Sequence, residues 1–243
     1  FLWWKDIPHE EDKLFDRLVE LSDRVVIDSL VFDRPQEDMK RLAQIIGARR
    51  QYMLASDLNW GRLTSWRNLV ASFWDVPDYR PHLDALDEVI VEYDPPDVAS
   101  GQVAAHALLL VGWLAAELKW RPAGDFVREG NNSRRVLLSG ERKINVEFRP
   151  TGDRHGCDGL IATLTLKRSE TNAEFYVGVN EEWTKLETSA RIGDARAVGR
   201  VVSYEAKSEG ERLSRELSLL SRDEVYERAV ASVGQLIEVS QKS

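Results

Sequence analysis

The first half of the chain alternates between continuous apolar runs and segments whose apolar residues recur at helical spacing. Apolar runs predict buried strands at residues 1–4, 24–32 and 87–93. Between them, apolar residues fall three and four positions apart over 12–23 and again after Pro35, a residue that suits a first helical turn. Because these strands are apolar almost throughout and are separated by helices, they predict a parallel sheet covered on both faces.

A long helix is predicted from about Ser100 to Trp120, with Ser100 as its N-cap. Its apolar run, 103–116, is about fourteen residues long, whereas a bilayer span needs roughly twenty. We therefore expect a buried core helix and no membrane association. His106 lies inside this run, and a buried neutral imidazole that donates to a backbone carbonyl is favoured there over a catalytic base.

In the second half, apolar and polar positions alternate with the period of a strand. Residues 134–140 and 142–150 predict one hairpin, 159–170 and 171–180 predict a second, and 197–204 predicts a further strand. One face of the third of these strands is expected to consist of Leu160, Ala162, Leu164 and Leu166.

The end of the chain returns to helical spacing. Apolar residues from Leu213 to Ile237 predict one or two amphipathic helices, with a turn at 220–223 as the dividing point. The predicted fold class is α/β, with a mostly parallel sheet and flanking helices first, and antiparallel hairpins with C-terminal helices after it. Two organisations fit: an α/β domain (1–122) and a second domain (134–243) that meet at a seam over 121–133, or one continuous unit.

Composition narrows the possible partners. The 243 residues are 43% hydrophobic, enough for a sizeable core, and the net charge of -8 disfavours nucleic acid as a partner. Cys157 is the single cysteine, so an intrachain disulfide is excluded and a reducing, cytoplasmic compartment is expected. The chain begins without methionine inside an apolar run, and we expect it to lack an N-terminal portion of a longer protein.

Motifs for common cofactors and metals are missing. The sequence has no glycine-rich phosphate loop, no H-E-x-x-H and no C-x-x-C pair, so no cofactor, metal or catalytic residue is predicted. One segment, 153–158, gathers possible ligands, namely Asp153, His155, Cys157 and Asp158. Glycines surround them and favour a plain loop between strands, which leaves Cys157 only as a redox candidate.

The segment SDLNWGRLTSWRNL, residues 56–69, combines tryptophan, arginine and short polar side chains. Asp57 is placed to cap a helix, because its carboxylate would meet free backbone amides. Apolar residues then follow at helical spacing along one stripe. Four tryptophans of the chain are expected to be structural anchors: Trp60, Trp66, Trp113 and Trp120.

Three polar residues of this segment are left over: Asn59, Arg62 and Arg67. Arg62 and Arg67 are five positions apart, so they project in different directions from one helix. In a structural interpretation, each arginine pairs with an acid such as Asp57 or stacks on a tryptophan. In a functional interpretation, the three residues and Asp57 form a partner- or anion-binding site, since arginine and tryptophan dominate interface energetics.

Four stretches resemble the OpcA family, the glucose-6-phosphate dehydrogenase assembly proteins of cyanobacteria and actinobacteria. They are FLWW, RVVIDSLVF, SDLNWGRLTSWR and LLLVGWLAAELKWRP, in the family's order. The resemblance implies a non-catalytic effector that binds oligomeric glucose-6-phosphate dehydrogenase and promotes its active state in the oxidative pentose phosphate pathway. It also implies an additional N-terminal portion and, in cyanobacterial members, thioredoxin-linked control. A single cysteine allows no disulfide switch within this chain.

Two other functions remain open from the residues. One is an α/β sugar-phosphate enzyme in which Arg62 or Arg67 holds the phosphate and Asp57 acts as the base. The other is a purely structural subunit, which would leave the kinetics of its partner unchanged.

Overall fold

A computed structural model describes residues 1–6, 12–97, 101–152, 156–204, 208–219 and 221–238. Three residues named above lie outside the described residues: Ser100, Asp153 and His155.

The described elements follow the predicted alternation in the first half and form hairpins in the second. The helices are α1 (Lys13–Glu20), α2 (Pro35–Arg49), α3 (Leu58–Arg62), α4 (Thr64–Phe73), α5 (Arg80–Leu83), α6 (Ala105–Glu117), α7 (Glu209–Leu217) and α8 (Glu224–Ile237). The strands are β1 (Leu2–Trp3), β2 (Arg24–Ile27), β3 (Leu54–Asp57), β4 (Glu88–Tyr93), β5 (Arg121–Glu129), β6 (Asn132–Ser139), β7 (Arg142–Pro150), β8 (Ile161–Arg168), β9 (Ala173–Val179), β10 (Lys185–Ile192) and β11 (Ala195–Ser203).

Strands β1, β2 and β3 form a small parallel sheet in that order. The prediction of one strand over 24–32 is wrong in its second half, because β2 ends at Ile27 and Ser29–Val31 is a 3-10 turn. Asp28 causes the break: its Oδ1 accepts the backbone N–H of Leu30 at 3.2 Å and so caps the turn.

The larger sheet has eight strands in the order β11-β10-β9-β8-β4-β7-β6-β5. β4 runs parallel to β7 and antiparallel to β8, so this strand of the first half lies in the centre of a sheet made by the second half. The expectation that β4 extends the small parallel sheet is therefore wrong. The α/β class is confirmed, with a small parallel sheet, a larger mixed sheet and C-terminal helices.

Both predicted hairpins are present, as β6–β7 and β8–β9. The predicted inward face of β8 is wrong at its start, because Tyr93 pairs with Ile161 whereas Glu92 pairs with Thr163. Ala162 is thus the extra residue of a bulge, and a bulge shifts the alternation of faces by one position. The residues of β8 that are buried are Ile161, Leu164 and Leu166.

The segment 121–133 is a strand and a turn rather than an irregular connection. Residues 121–129 form β5, which pairs with β6 at the edge of the large sheet and is largely exposed. The two-domain division proposed from the sequence stays a prediction.

Helices α6 and α8 pack against each other, and α8 also packs against α2. Gly112 lets α6 and α8 approach closely because it has no side chain. A Cβ at this position would lie 2.5 Å from Val233 Cγ2 and 2.7 Å from the carbonyl oxygen of Ala229. The predicted split between two C-terminal helices is confirmed. None of the helices in the described ranges is both long enough and apolar enough to cross a membrane.

Candidate functional site

The segment 56–69 starts at the end of β3 and turns into two short helices. Asp57 is both the last residue of β3 and the N-cap of α3, because its Oδ1 accepts the backbone N–H of Asn59 at 2.9 Å. Leu63 separates α3 from α4, so the single apolar stripe expected from the sequence is divided between two helices.

Asp57 is fully buried, and polar groups from distant parts of the chain bind its carboxylate. Ser29 donates its backbone N–H at 3.0 Å and its hydroxyl at 2.7 Å, and Tyr226 donates its hydroxyl at 3.4 Å. Asn59, also buried, donates its amide to the Ser29 hydroxyl oxygen at 3.0 Å. Burial, and next the Asp28 carboxylate, raise the pKa of Asp57 to about 7, while the hydrogen bonds from Ser29 and Asn59 oppose this shift.

Arg62 pairs with Asp28 and not with Asp57. Its two terminal nitrogens lie 2.6 and 2.8 Å from the two oxygens of Asp28, a bidentate pair with about one eighth of each side chain exposed. This pair fixes the end of α3 against the turn that follows β2.

Arg67 stacks on a tryptophan, as the structural interpretation expects. Its guanidinium carbon lies 3.5 Å from the centre of the Trp60 ring, and the Trp60 indole N–H donates to Asp223 at 2.8 Å. Burial lowers the pKa of Arg67 to about 10, and the nearby Asp223 carboxylate opposes this shift. The two arginines thus project in different directions and have different surroundings, as their spacing of five positions predicts.

A cavity of about 370 Å³ lies next to the Arg62 side of the segment. Five parts of the chain form its wall: α3, the first turn of α4, the residue before β8, the end of β11, and α7. Its lining residues are mainly basic or hydroxylated, and the main ones are Arg62, Ser65, Ser203, Tyr204, Arg212 and Arg215. Asp57, Asn59 and Arg67 do not line it.

Arg212, Arg215 and Tyr204 were not identified from the sequence as site residues. Burial, and next the positive charge of Arg62, lower the pKa of Arg212, and burial raises the pKa of the Tyr204 hydroxyl. The spacing of the two α7 arginines, three positions apart on one helical face, was a usable indication. No sequence pattern indicated that these arginines lie next to Arg62, because α3 and α7 are far apart in the sequence.

The four tryptophans expected to be anchors differ in burial. Trp66 is fully buried, Trp60 and Trp120 are nearly so, and Trp113 is partly buried against the core. His106 is also fully buried, which lowers its pKa to about 3. The expected donation from His106 to a carbonyl is wrong: its Nδ1 accepts the backbone N–H of Ile161 at 3.2 Å.

Cys157 is a half-buried cysteine in the connection before β8, and it forms no disulfide. Its neighbours Asp153 and His155 lie outside the described residues, so the predicted loop is only partly visible. Over the described ranges, no group of three or more His, Cys, Asp and Glu side chains is arranged to hold a metal ion.

Two family models match consecutive parts of the chain, and both describe a "Glucose-6-phosphate dehydrogenase subunit". The model for the C-terminal domain of that family covers residues 53–230, and the model for its N-terminal domain covers residues 1–44. The chain belongs to this family. The resemblance to OpcA proteins found in the sequence is thereby confirmed, and the larger match contains both the 56–69 segment and the cavity beside it.

Curated relatives from cyanobacteria cover almost all of this chain. The "Putative OxPP cycle protein OpcA" of Synechocystis sp. is 27% identical, over 99% of this chain and 50% of the relative. The protein of the same name from Nostoc punctiforme is 27% identical, over 99% of this chain and 51% of the relative. The chain therefore spans about half the length of these relatives.

Among solved structures, the WlbA (WbpB) dehydrogenase from Thermus thermophilus is 13% identical, with a TM-score of 0.41 over 100% of this chain and 74% of that chain. At this similarity, nothing about activity follows for the present protein.

Proposed function

We propose that the protein is a non-catalytic effector that binds glucose-6-phosphate dehydrogenase, promotes its active oligomeric state and raises its activity in the oxidative pentose phosphate pathway. The match of residues 53–230 to the dehydrogenase subunit family carries this proposal. The relatives named for the OxPP cycle support the pathway. The lone cysteine fits a reducing compartment, and we propose the cytoplasm as the place of action.

The position of Asp57 supports an effector over a sugar-phosphate enzyme. A general base must come within hydrogen-bond distance of the proton that it removes. Asp57 is fully buried, both of its oxygens already accept hydrogen bonds, and it does not line the cavity. The enzyme hypothesis would therefore need another base.

Within this proposal, the 56–69 segment is a candidate contact surface. Of the four candidate residues, Arg62 and Arg67 have partly exposed side chains, whereas Asp57 and Asn59 are buried, so the arginines are the candidates able to meet a partner or an anion. Asp57 and Asn59 would act from inside, by holding α3 in place.

The decisive experiment is a titration of the protein into its cognate glucose-6-phosphate dehydrogenase at subsaturating glucose 6-phosphate. An effector changes the affinity of its partner only by its preference for one state, typically about 5- to 150-fold. We expect a fall in the apparent Michaelis constant within that range. By linkage, glucose 6-phosphate should tighten the complex, which size-exclusion chromatography at micromolar concentrations would show.

Two controls make this titration interpretable. The protein alone, incubated with the sugar phosphate and nicotinamide cofactors, should turn over no substrate. The Synechocystis relative, about twice as long, should be tested with its own dehydrogenase in parallel. An unchanged rate and no complex for the present chain, with activation by the relative, would contradict the proposal for this chain.

A further inference from the structure

The cavity beside Arg62 contains more positive charge than the protein itself neutralises. Arg62 is already paired with Asp28. Arg212 and Arg215, by contrast, form no side-chain salt bridge or hydrogen bond with any residue in the described ranges. Glu216 is the one carboxylate among the lining residues, and burial raises its pKa, which disfavours its charged form. Two guanidiniums are therefore left to face the same space.

The cavity also contains hydroxyl groups, which can donate hydrogen bonds to the oxygens of a ligand. The Tyr204 hydroxyl forms no hydrogen bond with a described residue, so its proton is available to an acceptor in the cavity. Ser65 and Ser203 line the same space, and their hydroxyls form no hydrogen bond with a described residue. Together, these groups can serve a ligand that has several acceptor oxygens.

From this arrangement, we infer that the cavity binds a phosphate monoester of a small hydroxylated molecule through Arg212 and Arg215. Guanidinium groups match phosphate oxygens in charge and geometry. A volume of about 370 Å³ is at the lower end of the range for small-molecule sites, so it accommodates an organic group besides the phosphate. The polar lining favours hydroxyl groups on that part of the ligand.

The negative net charge of the whole protein opposes the binding of anions, so a phosphate ligand requires a local basic site. With a formal net charge of -8, the protein repels small anions in general. Binding of a phosphate monoester at low millimolar concentration or below therefore requires a local site. This inference does not depend on the proposed effector function, because it concerns a ligand of this chain alone.

The test measures ligand binding to the isolated protein by calorimetry and by thermal shift. The probes are glucose 6-phosphate, inorganic phosphate and glucose, each at constant ionic strength set with sodium chloride. We expect glucose 6-phosphate to raise the melting temperature, phosphate to do so more weakly, and glucose to have no effect. Arg212→Gln and Arg215→Gln should each weaken binding by about 10-fold or more, the effect of losing a hydrogen bond to a charged group.

Arg121→Gln is the matched control, because it removes the same charge from an exposed position on β5, at the opposite edge of the large sheet from β11. This variant should keep the parental affinity. Circular dichroism of these three single variants and of the double Arg212→Gln/Arg215→Gln variant establishes that each is folded. Equal loss of binding in the Arg121 variant, parental affinity in the double Arg212→Gln/Arg215→Gln variant, or no melting shift beyond that of sodium chloride would overturn the inference.

Discussion

Asp57 is a carboxyl group whose position favours its neutral form. In the folded protein it keeps its proton up to about pH 7, whereas in the unfolded chain it releases that proton near its ordinary value of 3.8. Between these values the folded state binds more protons than the unfolded state. The free energy of unfolding therefore falls as the pH rises through this window.

Asp57→Asn should remove this pH dependence. The asparagine oxygen can accept the two backbone N–H groups, and its amide can donate to the Ser29 and Tyr226 oxygens. Relative to the parent, we expect the variant to gain up to about 1.4 kcal/mol of stability per pH unit between pH 4 and 7. Urea unfolding at four pH values measures this difference. As a control, Asp78→Asn removes an exposed carboxylate. The difference in the free energy of unfolding between this variant and the parent should not change comparably with pH.

The sequence predicted the local role of Asp57 but not its distant contacts. Capping of α3 depends on residues two positions apart, so it follows from local spacing. The contacts with Ser29 and Tyr226 depend on how β2 and α8 are placed, which no local pattern records. The same reason explains why Asp57 was considered as the partner of Arg62, although the structure gives Asp28 that role.

At the scale of elements, local patterns located most helices and missed three strands, β3, β5 and β10. α2 begins at Pro35 as predicted, and the amphipathic C-terminal segment divides near the predicted turn. β3 was missed because it has only four residues, half of them polar. β10 was missed because threonine and alanine occupy two of its buried positions, Thr188 and Ala190, so its alternation is weak.

Two helical glycines should respond in opposite ways to the same substitution. Gly47→Ala in α2 adds a methyl group with no atom within 4 Å, so we expect a gain of about 0.5–1 kcal/mol from the restricted unfolded chain and better helix propensity. Gly112→Ala in α6 places its methyl group against Val233 and the Ala229 carbonyl, so we expect a loss of about 1–3 kcal/mol. Denaturant unfolding of both variants measures these changes. Equal effects of the two would mean that α6 and α8 are not in close contact.

At the scale of the whole molecule, β4 joins the two halves of the chain. Both of its neighbours, β7 and β8, come from the second half, and α6 is covered by α8. The sequence could not predict this, because the apolar run of β4 suits the centre of either sheet. Which sheet it enters is decided by strands more than 50 positions later, as in the pairing of Glu88 with Asn145.

We predict that residues 1–122 do not fold alone. This piece would leave both edges of β4 unpaired and the apolar surface of α6 uncovered, and either defect exposes buried groups to water. The complete chain should unfold in one transition that coincides by tryptophan fluorescence and far-ultraviolet circular dichroism. A cooperative thermal transition in the 1–122 piece would show instead that the first half is an independent domain.

The late position of α8 also has a consequence for protein synthesis. α6 ends at Glu117, and α8, which covers it, begins at Glu224. At the usual rate of translation, the ribosome needs about 5 to 20 seconds to make the intervening chain. During that time, the leucine-rich surface of α6 has no partner from α8. We therefore expect nascent chains to be prone to aggregation during this interval, and slower translation between these helices should lower the yield of folded protein.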